Sequence, residues 1–337
     1  MSTESFGRTV RQIHVYYEIV MAIISYVLNF LVLWLAITKS TKTMSSYRII
    51  ILLSCVVDLI FITVNLIAMG IVDMHNGHLF MFSGGFFVDF DHPMPLLMNI
   101  IWLWGVNITI VNIPMIFLHR HSVFCRSVPL SSLQFFGIYG LFIVWITLHS
   151  IGFVFCFDYG EKSKALAPLL HTNQIYADVK YYIVGNSESV LGILHMMNIQ
   201  AIVVVSYGIV VWTSRKIFRK LAETRSHMST ATLEAQKQLT FIMFFQACVP
   251  FIVICIPVLG AVMTTVLHLD NPFIGFFLAS LTAFIPIFNS VCIIVVIPSF
   301  RRALISIGSK IIDTSASEMR VTSLQQNPAV GDVQEHF

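Results

Sequence analysis

Charge is scarce in this chain. Only 11% of its 337 residues are Asp, Glu, Lys or Arg, while 57% are apolar. Soluble domains carry ~25% charged residues, so a core of this size could not be given a soluble shell. That excludes an ordinary cytosolic enzyme, a disordered regulator and a nucleic-acid-binding protein of the basic-patch type. Cysteine is scarce too. The six cysteines (Cys55, Cys125, Cys156, Cys248, Cys255 and Cys292) form no CxxC pair, and nearly all lie inside apolar runs. Neither a disulfide framework nor a zinc site is expected. Catalytic signatures are missing as well: no HExxH, no paired aspartates within the apolar runs and no serine–histidine pair at matched depth. An intramembrane enzyme is therefore not expected.

What the chain has in abundance is long apolar runs. Seven are long enough to cross a hydrocarbon layer, which takes ~20 helical residues. They lie at 15–38, 47–70, 94–118, 133–157, 189–212, 239–267 and 273–298. They lack period-2 alternation and are too long for barrel strands, so they read as helices. Residues 1–14 are polar, and the run after them exceeds the ~7–15 residues of a signal core. The first run therefore reads as a retained span behind an extracellular N-terminus. Lysine and arginine set the orientation. Arg8, Arg11, Lys162, Lys164 and Lys180 fall on one side, and the other fifteen of the twenty fall on the opposite side. The expected fold is all-α: a seven-transmembrane helix bundle with its N-terminus outside. Residues 299–337 form a cytoplasmic tail. Phe300, Ala303, Leu304, Ile307 and Ile311 recur at helical spacing, predicting an amphipathic helix over 299–312 on the inner leaflet.

Polar residues inside the spans are costly and point to function. Asp58 lies about 16 Å from the inner end of the second span, at 1.5 Å per residue, and Asn29 and Asn289 lie at about 14 Å. A polar cluster Asn29–Asp58–Asn289 is expected, read either as interhelical glue or as a switch that repacks on activation. Pro250 and Pro257 interrupt the sixth span and Pro286 the seventh, each removing a backbone hydrogen bond. Toward the outer half, Met98, Asn99 and Trp102 share one side of the third span, and His195, Met196, Met263, Phe277, Ser280 and Phe284 come from spans five to seven. A lining rich in Met and Phe suits a small, largely apolar ligand. Residues 158–188 form the longest outer loop, a candidate lid. Arg215, Lys216, Arg219 and Lys220 on the inner side suit either anionic lipid or a docked partner helix.

Several short motifs give a resemblance. These are Leu28-Asn29-Phe30-Leu31 with the loop Lys39 to Arg48, Phe117-Leu118-His119-Arg120-His121, Gln246-Ala247-Cys248-Val249-Pro250 with Pro257 seven residues on, and Pro298-Ser299-Phe300-Arg301-Arg302. Together, over roughly residues 15–305, they resemble the nematode serpentine chemoreceptors of the Str superfamily. The resemblance implies a G-protein-coupled chemosensory receptor in ciliated sensory neurons. Its partners would be a small-molecule ligand, a heterotrimeric G protein and the lipid bilayer, with no nucleic acid; homo- or heterodimers are left open. It implies that Arg120, flanked by His119 and His121, meets the G protein; Arg301 and Arg302 are expected at the same contact, and Gln246, Pro250 and Pro257 in the switch, since a kinked helix can pivot at its cytosolic end. His119 and His121 depart from the family pattern, which has an aromatic beside the arginine. Glu234 is expected to pair with Arg120 at rest. The seventh span has no lysine, which excludes a retinal Schiff base of the opsin kind, and no cofactor is expected. The alternative is a seven-span ligand-gated channel or transporter, which would call for inverted repeats or further intramembrane charge.

Overall fold

The computed structural model describes residues 3–39, 45–126, 128–186, 189–224, 230–269, 274–307 and 309. The loop residues 40–44, the end of the expected amphipathic helix and the tail 313–337 lie outside the described residues. Seven helices are long and apolar enough to span a bilayer. They are α1 (Thr3–Thr38), α2 (Ser45–Ala68), α3 (Met94–Cys125), α4 (Ser132–Ile151, resumed at Phe153–Cys156), α5 (Val190–Thr224), α6 (Thr230–Pro250, continued to Val266) and α7 (Ile274–Thr282 and Ile285–Val296). Residues 298–307 are helical after a one-residue break, at the start of the expected amphipathic helix.

Helix starts and breaks have local causes. Ser131 caps α4 with a capping box: its hydroxyl accepts from Gln134 N–H, and the Gln134 side chain accepts from Ser131 N–H. Pro257 cannot donate to the carbonyl four residues back, and the chain widens into a π-turn at Phe251–Cys255 just before it. Pro286 likewise follows the interruption of α7 between Thr282 and Ile285. Gly105 brings α2 close to α3: a Cβ there would lie 2.8 Å from Val64 Cγ1.

α3 runs through the middle of the bundle and packs on α2, α4, α5 and α6. Most of its length is buried, Asn99, Asn107 and Asn112 included. α1 packs against α2 and α7. One end of the bundle carries the loops rich in lysine and arginine. The opposite end carries a four-stranded antiparallel sheet.

That sheet corrects the expectation of plain outer loops. Its strands are β1 (Gly70–His75), β2 (His78–Ser83), β3 (Phe157–Asp158) and β4 (Ile183–Asn186), in the order β1-β2-β4-β3. Asn76 and Gly77, with φ +47° and +78°, make the two-residue turn between β1 and β2; left-handed conformation at both positions suits the twist of a tight hairpin. Val72, Met81 and Ile183 face the helices as part of the main core. Ile71, Phe80, Phe82 and Val184 face away and bury themselves against Leu170, Tyr176, Val179 and Tyr182 of the following loop. Period-2 alternation thus makes the sheet a roof with two apolar faces.

The N-terminal segment adds to the first span. It is helical from Thr3 rather than only from the apolar run. Arg11 holds it to the roof, donating to Asp178 Oδ1 over 2.6 Å and to the Ile175 carbonyl. Arg8 lies 3.6 Å from the other carboxylate oxygen. Burial raises the Asp178 pKa, but the Arg11 bond and charge, its backbone bond and Arg8 together hold it below the usual carboxylate value.

Candidate functional site

Beneath the roof lies a cavity of about 90 Å³. Val72, Leu79 and Met81 close it from the sheet side, and Trp102, Leu103 and Val106 of α3 form one wall. His149 and Phe153 come from α4, Phe157 from β3, and His195, Met196 and Ile199 from α5. Val258, Ala261 and Val262 of α6 with Leu278 and Thr282 of α7 complete it. Of the nine residues expected around a ligand, Trp102, His195 and Met196 line this cavity. Met98 and Asn99 are buried nearby, Asn99 donating to the Pro95 carbonyl over 2.7 Å. Ser280 lends its carbonyl to the Tyr17 hydroxyl at 2.9 Å. Met263, Phe277 and Phe284 are 48%, 60% and 42% exposed and face outward, so they do not line the cavity. In helices that are apolar all round, sequence alone does not fix which side faces inward.

The two imidazoles are the polar part of the wall. His149 and His195 stack with centroids 4.2 Å apart and planes at 13°. Phe153 and Phe157 meet His195 edge-on at 4.9 and 5.7 Å. Gly152, where α4 breaks, makes room: a Cβ there would lie 3.1 Å from His195 Nδ1. Trp102 ends a buried polar chain. Its indole donates to Asn65 Oδ1 (3.0 Å), and the Asn65 amide donates to Glu18 Oε2 (2.7 Å). The other Glu18 oxygen lies 3.4 Å from His14 Nε2. Neither Glu18 nor His149 was singled out from sequence. The signal for Glu18 was an acid four residues into an apolar run.

Midway down the bundle, a second, much smaller cavity of about 20 Å³ lies among Ser54, Asp58, Thr109, Asn112, Gln246, Pro250 and Asn289. It has room for about one water molecule. Asn289 Nδ2 donates to both Asp58 oxygens, at 3.1 and 3.3 Å. Asn29 instead donates to Ser25 O one turn earlier in its own helix, at 3.0 Å. The expected three-residue cluster is therefore centred on the Asp58–Asn289 pair, with Gln246 and Pro250 in its wall. Pro257 lies beyond the π-turn, outside this cavity.

At the basic end, Arg120 is 1% exposed. It donates to Thr240 Oγ1 (2.6 Å), to the Gln236 carbonyl (2.9 Å) and to its side-chain oxygen (3.4 Å), with Met243 Sδ at 3.1 Å. Glu234 stands exposed two residues before Gln236. His119 packs edge-on against Phe135 at 5.3 Å, and His121 lies against Trp212 at 5.0 Å. Arg215, Lys216, Arg219 and Lys220 are exposed on α5, Arg219 pairing with Glu223 at 3.0 Å. Arg301 and Arg302 are exposed after α7, and Arg302 donates to the Pro298 carbonyl at 3.3 Å. Among the described residues, no group of three or more His, Cys, Asp or Glu side chains could hold a metal ion.

Comparison with known proteins adds family and fold. The model of the serpentine-type 7TM GPCR chemoreceptors Srd matches residues 13–306. Among solved structures, the crystal structure of squid rhodopsin superposes with a TM-score of 0.60 at 16% identity, covering 90% of this chain and 87% of that one. At that identity the likeness concerns the fold alone. No curated protein matches the chain.

Proposed function

Because the chain belongs to the serpentine 7TM GPCR chemoreceptors of the Srd type, we propose that it detects a small, largely apolar molecule in the cavity under the roof and activates a heterotrimeric G protein at its basic end. The cavity under the roof carries the reading. Its wall is almost wholly apolar, and Met81 and Met196 can reshape to fit a guest. In this reading the sheet end faces outside and the basic loops face the cytosol, following the charge bias. The multi-pass chain resides in the plasma membrane of a sensory cilium.

Ligand acts by binding the signalling-competent arrangement better than the resting one. Reversing a ~99:1 equilibrium takes ~5.5 kcal/mol of differential affinity. The resting arrangement holds Arg120 against α6; the competent one frees it for the G protein, and Arg215, Lys216, Arg219, Lys220, Arg301 and Arg302 ring the docking surface. Asp58, Asn289, Gln246 and Pro250 lie between the two ends and repack as one passes to the other.

The test is expression of the full chain with a promiscuous G protein, followed by odorant mixtures, with second messenger and membrane current recorded together. A second-messenger response that requires the G protein is expected. Ligand-evoked current independent of it would instead establish the channel reading.

A further inference from the structure

Trp102 is the largest side chain in the cavity wall, and neighbours outside that wall hold it in place. Its indole N–H can only donate, and it lies 3.0 Å from Asn65 Oδ1. The Asn65 amide therefore turns its oxygen to Trp102 and its NH2 to Glu18, where Oε2 accepts at 2.7 Å. An amide NH2 cannot accept, so an acceptor at position 18 favours this way round over the reverse. His14, one turn earlier in α1, lies 3.4 Å from the other Glu18 oxygen. Glu18, Asn65 and Trp102 are all buried, and they come from α1, α2 and α3. In a low-dielectric interior such a chain is stronger than it would be in water. The indole is also pressed against the backbone where α2 gives way to the roof: a Cβ on Gly70 would lie 2.6 and 2.8 Å from Trp102 Cγ and Cε2. Neither Glu18 nor Asn65 lines the cavity.

We propose that Glu18 and Asn65 are positioning residues for ligand selectivity: Glu18 orients the Asn65 amide, and the amide holds the Trp102 ring in one pose with its N–H spent outside the cavity. The proposal rests on the cavity being the ligand site. The cavity exposes no polar surface, so Trp102 offers a guest only carbon. Met81 and Met196 in the same wall adapt their shape. A ring tied by a hydrogen bond and pressed on Gly70 does not, and shape selection falls to it. Without an acceptor at position 18 the amide is free to turn. Its NH2 then faces the indole N–H, donor against donor, and the ring loses its fixed pose. The chain also accounts for Glu18 itself, because a buried carboxyl group is costly unless it has partners.

The experiment uses the purified full chain in lipid nanodiscs, isotope-labelled at the indole nitrogens of its five tryptophans, and two ring probes of similar size, flat benzene and puckered cyclopentane. NMR reads the indole signals, and the one lost in Trp102→Phe belongs to Trp102. In Glu18→Leu the Trp102 N–H is expected to shift and to exchange with solvent about tenfold faster, although Glu18 lies beyond Asn65. The ratio of benzene to cyclopentane affinity, read by titrating the same signal, is expected to change about threefold or more. Glu18→Gln keeps an acceptor oxygen without the charge and is expected to retain wild-type exchange and ratio. Asn65→Leu removes the indole's own acceptor and is expected to repeat the Glu18→Leu changes, which keeps the test open should that variant fold poorly. Wild-type exchange or a wild-type affinity ratio in these leucine variants overturns the inference and leaves the cavity as the ligand site. Probes that move no tryptophan signal of the wild-type chain overturn the cavity reading itself.

Discussion

The guanidinium of Arg120 donates to the hydroxyl of Thr240 over 2.6 Å, and this bond ties α3 to α6 at the basic end of the bundle. A hydrogen bond to a charged, buried group contributes about 1.5–3 kcal/mol, enough to hold most molecules in one arrangement.

Thr240→Val keeps the shape and removes the acceptor. Basal signalling is expected to rise about tenfold if, as proposed, the bond stabilises only the resting arrangement. Arg120→Ala is expected to lose coupling while still binding ligand. Agonist-independent second messenger, normalised to surface expression, checks the first. Full coupling by the alanine variant would remove Arg120 from the G-protein contact.

Asp58→Asn keeps an oxygen for Asn289 and removes the charge. Surface delivery and thermal stability are expected to stay near wild type, since a buried charge contributes little net stability. Basal or agonist-evoked signalling is expected to change several-fold. Superimposable dose–response curves would reduce Asp58–Asn289 to structural glue.

Ala261→Leu fills the cavity from the α6 side. Ligand potency is expected to fall at least tenfold, while thermal stability stays within about 1 kcal/mol of wild type. Retained potency would move the ligand site elsewhere.

Acidity is expected to loosen the join between the roof loop and the start of α3. His92 Nε2 accepts from the Gly160 N–H at 3.0 Å, which only an unprotonated nitrogen can do. Burial lowers the His92 pKa below 6.5, Asp91 opposes this and Lys164 assists it. Between that lowered value and 6.5 the unfolded segment holds more protons than the folded one, so stability falls as pH drops through this window and levels off above it. Hydrogen exchange at Gly160, corrected for its intrinsic pH dependence, is expected to quicken from pH 7 to pH 5. His92→Phe removes the acceptor, so its exchange is expected to be fast at both values.

The spans were legible because an apolar run of twenty residues fits a bilayer and little else, and fixed helical rise put Asp58 level with Asn289. Helical phase was harder. Met263, Phe277 and Phe284 sit in helices apolar on every side, where composition gives no inward direction, and all three point outward. The roof was missed for another reason. β1 follows α2 after one residue, and the expected span stopped at residue 70, so Ile71 to His75 read as outer loop. The Asn76-Gly77 pair between two apolar runs was the overlooked hairpin signal. His149 was hidden too, as one histidine in a run of lipid-facing residues. Its partners lie on other turns and another helix, and only the fold brings Trp145, Asn198 and His195 around it.

In the proposed switch, the widened turn at Phe251–Cys255 is the fulcrum. Below it, Thr230–Pro250 is one rigid arm of 21 residues, about 31 Å long at 1.5 Å per residue. A swing of roughly 10° at the turn carries the far tip about 5 Å. The Arg120 clasp grips this arm near its middle, where the same swing amounts to about half as much, enough to part a hydrogen bond. In the proposed reading, a guest that nudges Val258 or Ala261, just above the turn, pushes the short side of a lever whose long side is the arm below.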